Sequence, residues 1–150
     1  MLAVIRPDGW DFPLLLHVLG AMLLVGALIL AAASLLLAGR RGTASLVRLG
    51  YRALLLGVLP AWVLMRAGGE WIASKEDLTD SSATWVQMGF NTADFGLVAI
   101  IVATVLAGLA ARRAAGPGAS SRPRLVSGAL ATLLLVAYLV AVWAMTTKPG

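Results

Sequence analysis

Four long runs of apolar residues, separated by short polar segments, dominate the chain. They cover residues 12–38, 47–66, 91–111 and 125–145. Each run reaches the roughly 20 residues that an α-helix needs to cross the hydrocarbon core of a bilayer. The pattern therefore predicts an all-α protein, a four-helix transmembrane bundle in which residues 1–150 form a single integral membrane domain.

Small residues and a proline predict local features of these helices. Gly20, Gly26 and Ala27 in the first run favour close contact with a neighbouring helix, because their side chains are absent or small. Pro60 in the second run has no N–H, so the Leu56 carbonyl loses its usual helical donor. We expect a kink in the second helix at this point.

The two halves of the chain are weakly similar to each other. Each half consists of an apolar run, an Arg-Arg pair and a second apolar run. Leu46-Val47 and residues 61–65 correspond to Leu125-Val126 and residues 141–145. This correspondence predicts a parallel duplication of two helical hairpins.

The distribution of charge orients the helices. Most of the 12 basic residues lie in residues 39–53 and 110–126, two segments that contain no acid. They are Arg40, Arg41, Arg48, Arg52, Arg112, Arg113, Arg122 and Arg124. The positive-inside rule places these two arginine loops in the cytoplasm. We therefore expect both termini, and the acidic loop 67–90, on the outer face of the cell membrane.

Composition narrows the class of protein and its partners. Hydrophobic residues make up 60% of the chain and charged residues 13%, which a water-soluble domain of this size could not accommodate. The net charge of +5 resides in the loops, so we expect lipid headgroups rather than nucleic acid beside the arginines. Expected partners are the bilayer and a membrane protein or second copy of the chain. The excess of arginine over lysine is typical of a GC-rich bacterial genome.

The sequence lacks the motifs of the common catalytic classes. Cysteine is absent, which excludes disulfides, thiolate metal sites and thiol nucleophiles. No phosphate-binding loop or paired-histidine zinc motif is present. Asp94-Phe95-Gly96 spells the magnesium-binding triplet of kinases, but the glycine-rich and catalytic loops of kinases are missing. We therefore expect a protein that is not an enzyme.

Arg66 departs most from the charge pattern. It follows Arg52 by 14 residues, or roughly 21 Å of helix, whereas the hydrocarbon core is about 30 Å thick. The two arginines therefore cannot both reach opposite interfaces without distortion. Arg66 either extends its side chain to the interface or forms a buried pair with an acid, and charges at membrane depth are candidates for a functional site.

Asp94 is the acid predicted to pair with Arg66. It precedes Arg112 by 18 residues, roughly 27 Å, which gives it a similar height in the membrane. In the alternative, Asn91 caps the third helix and Asp94 interacts with the helix dipole from the first turn. Glu70 follows Arg66 by four residues, but the two glycines between them disfavour a continuous helical pair.

His17 and Tyr138 complete the predicted polar cluster. His17, the only histidine, is 23 residues from Arg40, roughly 35 Å, and so lies near the outer interface. It could bind a ligand or relay protons, or bond only to a neighbouring helix or water. Tyr138 lies at middle depth and needs a hydrogen-bond partner in the bundle interior. The candidate site for ligand binding or proton relay is His17, Arg66, Glu70, Asp94 and Tyr138.

Aromatic residues flank the apolar runs on the side of the termini. They are Trp10, Trp71, Trp85, Phe90 and Trp143. We interpret them as an interfacial aromatic belt. Recognition of an aromatic ligand is the alternative.

Residues 13–21, PLLLHVLGA, resemble the first helix of CopD-like copper-resistance proteins and related small bacterial membrane proteins. Those proteins pair a leucine-histidine start with a following glycine, and the resemblance covers less than a fifth of this chain. It implies haem or copper, with His17 as a ligand. This chain has no second histidine, so it cannot by itself supply two histidine ligands to a haem.

Methionines offer a different set of ligands. Met65, Met88 and Met145 are expected at the same level as His17, and thioethers with an imidazole suit Cu(I). Methionine is also ordinary apolar filler. We predict no cofactor and no metal, with haem or copper on His17, Met65 and Met145 as the alternative.

Three classes of function are compatible with these residues. The first is a non-enzymatic accessory or small-ligand-binding protein that uses the polar cluster in its outer leaflet. The second is a proton-coupled transporter that uses His17, Arg66 and Asp94. The third is a redox or metal protein with His17 as a ligand.

The predicted orientation can be tested by cysteine labelling, since the chain has no cysteine of its own. A cysteine introduced at Asp80 should react with an impermeant thiol reagent added outside intact cells. A cysteine introduced at Gly118 should react only after the membrane is opened. The reverse pattern would overturn the orientation but not the number of helices.

Overall fold

The computed structural model describes residues 8–41, 44–76, 83–114 and 121–147. Asp80 and Gly118, the proposed labelling positions, lie outside these ranges, as do the side chains of Arg40 and Arg41. The fold and its contacts are those of these four ranges.

The described chain is almost entirely helical, and the predicted all-α four-helix bundle is confirmed. In chain order the elements are a 3₁₀ turn Asp8–Trp10, α1 Asp11–Arg41, α2 Ala44–Arg52, a π-helical segment Ala53–Val58, α3 Leu59–Lys75, α4 Thr84–Arg113 and α5 Arg122–Thr147. α2, the π-helical segment and α3 form one continuous span, Ala44–Lys75. The four spans are long and apolar enough to cross a membrane, as expected of a multi-pass membrane protein.

The spans predicted at 47–66 and 91–111 were too short. The second span continues to Lys75 and α4 already begins at Thr84, so most of the predicted outer loop 67–90 is helix. Gly68 and Gly69 were read as loop residues, but they lie inside α3 against α1. A helix satisfies its own backbone whatever the polarity of its side chains, and it can therefore continue beyond the apolar run.

Pro60 is accommodated by the π-helical segment that precedes it. The Leu59 N–H donates to the Leu54 carbonyl five residues back, which is the hydrogen bond of a π-helix. The sequence therefore located the irregularity correctly, and the structure shows its form as a wider turn before the proline.

Glycines bring α1 and α3 into direct backbone contact. A Cβ on Gly20 would collide with the backbone of Met65, and a Cβ on Gly68 would collide with the backbone of His17. The predicted close contact is thus present at Gly20, and Ala27 lies against Gly57. Gly26 was predicted wrongly, because a Cβ there would meet nothing within 4 Å.

α1 packs against several of the other helices. Besides its contact with α3, it packs along α5, and α5 in turn packs along α4. α4 contacts α2 near the arginine loops but touches α3 only sparsely. The bundle is therefore closed at the arginine-loop end and looser between α3 and α4 at the other end. We call that other end, where α1 and α4 begin and α3 and α5 end, the termini end.

Polar side chains tie the arginine-loop end together. Ser127 is fully buried and its Oγ donates to the Ala103 carbonyl at 2.7 Å, which joins α5 to α4. Arg124 donates from Nη1 to the Leu35 carbonyl at 2.9 Å, which joins α5 to α1. These bonds satisfy polar groups that would be costly to leave unpaired in a membrane.

The glycine contact predicts a large difference between two glycine-to-alanine changes. Gly68→Ala should destabilise the protein by about 1–3 kcal/mol, because the added methyl group forces α1 and α3 apart. Gly26→Ala should leave stability unchanged or raise it by up to about 1 kcal/mol, because alanine favours the helix and meets no neighbour. Thermal unfolding of both variants in the same detergent measures this difference. Equal effects would show that the two helices are not held at this distance.

Candidate functional site

A cavity of about 150 Å³ lies between the four spans at the termini end. Its walls are mostly apolar, and its polar or charged residues are few. The polar contributors are His17 from α1, Arg66 from α3, Glu76 just after α3, Trp85 from α4 and Tyr138 from α5. An apolar cavity with a small number of polar groups is the usual form of a small-molecule site.

A hydrogen bond holds His17 against α3, and the acceptor in this bond shows which ring nitrogen carries the proton. Its Nδ1 lies 2.8 Å from the Met65 carbonyl oxygen. A carbonyl only accepts, so Nδ1 carries the proton and donates. The neutral ring then leaves Nε2 as an acceptor, a base or a ligand atom. Gly69 permits this position, because a Cβ there would approach Nδ1 to 2.9 Å.

Arg66 bridges the sparse contact between α3 and α4. Its Nη2 lies 3.0 Å from a carboxylate oxygen of Asp94 on α4 and 3.0 Å from one of Glu70 on α3. Its guanidinium also stands over the Phe90 ring, 4.8 Å from the ring centroid. Since Arg66 lines the cavity as well, its side chain forms part of the wall between the cavity and the surface of the bundle.

The structure corrects two expectations about the acids. Gly68 and Gly69 do not interrupt the helix, so Arg66 and Glu70 form an ordinary pair one turn apart. Asn91 does not cap α4, which begins at Thr84, so Asp94 is not in the first turn. Asp94 is close to Arg66 as predicted, but the pair is only partly buried. Side-chain exposure is 21% for Arg66 and 58% for Asp94.

Tyr138 is buried as predicted, but its hydroxyl lacks the expected partner. The residue is 4% exposed, and no described group bonds to the hydroxyl with good geometry. The oxygen lies against Gly96 and beside Trp62, whose indole N–H donates instead to the Ala93 carbonyl at 3.0 Å. Buried polar groups are seldom left unpaired, so this hydroxyl requires an explanation.

Three of the five predicted site residues line the cavity, and two lie beside it. His17, Arg66 and Tyr138 are in the wall, whereas Glu70 and Asp94 reach the site only through Arg66. The predicted cluster is therefore one connected site with an inner part and a rim.

Several residues of the site were missed from the sequence. Trp85 and Phe90 were assigned to the aromatic belt, yet they line the cavity. Trp62 links α3 to α4, and Glu76 contributes a carboxylate. Trp62 lies on the same face of α3 as Arg66 and Gly69, at spacings of four and three residues, and this spacing could have identified it.

Comparison with protein-family models, curated proteins and solved structures finds no match.

The cavity distinguishes between the two cofactors that His17 suggested. A cavity of this volume is comparable to one that holds benzene, and a haem is several times larger, so the cavity could not enclose a haem. Cu(I) is compatible with the donors, since His17, Met65 and Met145 all line the same cavity. The Nδ1 bond to a carbonyl also resembles the support that metal-ligating histidines receive.

The ion pairs predict a specific pattern of stability losses. Arg66→Ala should cost about 1–3 kcal/mol, because it leaves two carboxylates without their cation. Asp94→Asn should cost less, because Glu70 remains. The double variant should recover part of the summed loss, with a coupling energy above about 0.5 kcal/mol.

This cycle is measured by thermal unfolding of the four proteins in one detergent. Lys75→Ala, which removes an exposed cation from the same helix, is the control and should have little effect. Small, strictly additive losses would show that Arg66 extends to the interface without a functional pairing.

The prediction that the protein has no resident cofactor can be tested on the purified protein. We expect a colourless preparation without stoichiometric metal by elemental analysis. A Soret band that disappears in His17→Ala would contradict this, and so would copper bound in a one-to-one ratio.

Proposed function

We propose that this protein is a non-enzymatic, small-ligand-binding or accessory protein of the cell membrane, and that its ligand occupies the cavity at the termini end. The cavity carries the proposal, because all four spans contribute to it and its polar groups converge on an apolar interior. The Nε2 of His17, which the bond from Nδ1 to Met65 leaves as an acceptor, is a binding group in the cavity wall.

The charge of the arginine loops supports an outer position for this site. The loops lie at the opposite end of the bundle, and the positive-inside rule assigns them to the cytoplasm. Along α3, Arg66 is roughly 21 Å from Arg52, which corresponds to the outer leaflet of a bilayer about 30 Å thick. The cavity would then face the periplasmic or extracellular half of the membrane.

The rim supports an accessory role in which binding affects a neighbour. Glu70 and Asp94 are each 58% exposed at the junction of α3 and α4. The junction is joined mainly by side chains, those of Trp62 and Arg66. A ligand in the cavity would press on this junction, and a partner membrane protein could contact the exposed carboxylates.

Copper binding is the second candidate, favoured by the three soft or nitrogen donors in one cavity. Added Cu(I) should then protect Met65 and Met145 from oxidation in the wild type and not in His17→Ala. Failure to bind Cu(I) would remove this candidate and leave the first intact.

The binding role is tested with toluene, a probe of the right size. Toluene should raise the unfolding temperature of the wild type. Ala21→Leu, which places three more carbons in the cavity, should abolish the shift. Ala33→Leu makes the same substitution on the exposed surface of α1, and this variant should still show the rise in unfolding temperature with toluene.

Equal shifts in all three proteins would mean that toluene acts on the detergent or elsewhere on the bundle. The proposed site would then be wrong. If binding is established, flux measurements in proteoliposomes separate a binding protein from a transporter.

A further inference from the structure

At the arginine-loop end of the bundle, α2 and α4 meet along a line that we call the α2–α4 seam. α2 begins at this end and α4 finishes there, so the two helices run in opposite directions. The ring of Tyr51 packs on Gly108, where an added Cβ would lie 3.1 Å from Cε2 of the tyrosine. This contact fixes the register of the two helices, and the side chains on either side of it can be placed along the seam.

The register brings one arginine of each helix to the same level. Arg48 precedes Tyr51 by three residues, and Arg112 follows Gly108 by four. Residues three or four apart share a face of a helix, so each arginine lies one turn closer to the arginine loops than the contact itself. Arg48 and Arg112 therefore flank the same stretch of the seam.

Both arginines lie on the lipid-facing side of the seam. On α2 the buried residues are Val47 and Gly50, whereas Arg48 is exposed. On α4 the faces containing Ala107 and Ala110 are buried, whereas Arg112 is exposed. The two side chains are thus outside the core, where a molecule in the bilayer can meet both of them.

The positive charge of this region has no counterpart in the chain. Residues 39–53 and 110–126 contain no acid, and Asp94, the last acid in the chain, is 18 residues or roughly 27 Å of helix from Arg112. Arg52, one turn from Arg48 on the same face of α2, adds a further cation. Guanidinium groups form strong hydrogen bonds with phosphate, so an anion that carries phosphate oxygens suits this position.

An apolar surface continues from the arginines toward the middle of the membrane. Leu109 and Val105 precede Arg112 by three and seven residues, so they share its face of α4, and both are exposed. A cationic site followed by an exposed apolar stripe matches the phosphate and the acyl chain of a phospholipid. A soluble phosphate compound would make no use of the stripe.

The local charge also selects between classes of phospholipid. A zwitterionic headgroup carries an ammonium group beside its phosphate, and two guanidinium groups without a carboxylate repel that ammonium. A headgroup with a net negative charge has no such group. Basic sites between membrane helices bind anionic headgroups for this reason.

We propose that an anionic phospholipid binds on the lipid-facing side of the α2–α4 seam, with its phosphate between Arg48 and Arg112 and an acyl chain along Leu109 and Val105. This site lies at the opposite end of the bundle from the cavity. It does not depend on the ligand proposed for the cavity, so either proposal can fail without the other.

The experiment compares two lipids with the same acyl chains, dioleoylphosphatidylglycerol and dioleoylphosphatidylcholine. Each is titrated into the protein in a non-ionic detergent, and its affinity is taken from the rise in unfolding temperature. The variants are Arg48→Gln, Arg112→Gln and the matched control Arg113→Gln. Arg113 has the same charge on the same turn of α4, but it lies about 100° round the helix from Arg112, away from the seam.

Phosphatidylglycerol should stabilise the wild type more than phosphatidylcholine does. Arg48→Gln and Arg112→Gln should each weaken phosphatidylglycerol binding by about tenfold, because each removes a charged hydrogen bond to the phosphate. Arg113→Gln should weaken it by about twofold, because only screened, longer-range attraction is lost. Both seam arginines are exposed, and they lie on separate helices, so one variant still tests the site if the other is unstable.

Equal losses in all three variants would overturn the proposal, because they would show a general attraction of the basic loops for anionic lipid. Equal stabilisation of the wild type by the two lipids would overturn the headgroup class. Glycerol phosphate, which has no acyl chains, should leave the unfolding temperature unchanged. A rise with glycerol phosphate that is lost in Arg112→Gln would show that the site takes a soluble phosphate instead of a lipid.

Discussion

The close approach of α1 and α3 determines the rest of the site. Gly20 lies against the backbone of Met65, and Gly68 against the backbone of His17, so no side chain separates the helices there. This distance allows His17 to donate to the Met65 carbonyl, which fixes the ring and leaves Nε2 available. Because α3 is drawn to α1, it stands away from α4 at the termini end, and the cavity occupies the space between them.

A charged side chain then connects the two helices that backbone packing leaves apart. Arg66 meets Asp94 and Phe90 across the junction, while Glu70 holds it from its own helix. In a bilayer the cost of desolvating a guanidinium is lowered when carboxylates neutralise it. The arrangement therefore explains how an arginine can lie within a span, and it places a polar rim on an apolar cavity.

Periodicity and length were enough to predict the fold but not the ends of its helices. Apolar runs mark the spans because the hydrocarbon core requires apolar side chains. The helical rise from the arginine loops, compared with the thickness of the bilayer, predicted similar heights for Arg66 and Asp94. The predicted runs ended at Arg66 and began again at Asn91, yet the helices continue through polar residues. Hydropathy does not mark the helix ends in these segments, because packing determines how far the helices extend. Tertiary contacts also determine which aromatic residues line the cavity. They likewise determine that Gly20 contacts α3 whereas Gly26 contacts no neighbouring helix. The unpaired Tyr138 hydroxyl could not be inferred from composition, since it depends on where the Trp62 indole N–H is directed.

The tautomer of His17 tests most directly whether α1 and α3 meet as described. The chain has a single histidine, so ¹⁵N-histidine labelling gives one imidazole spectrum without assignment. In the neutral ring the proton should reside on Nδ1, and Nε2 should show the shift of an unprotonated nitrogen. Gly68→Ala should disturb this signal and Gly26→Ala should not. A wild-type spectrum with the proton on Nε2, or with rapid exchange between the two nitrogens, would contradict the bond to Met65 and the site built on it.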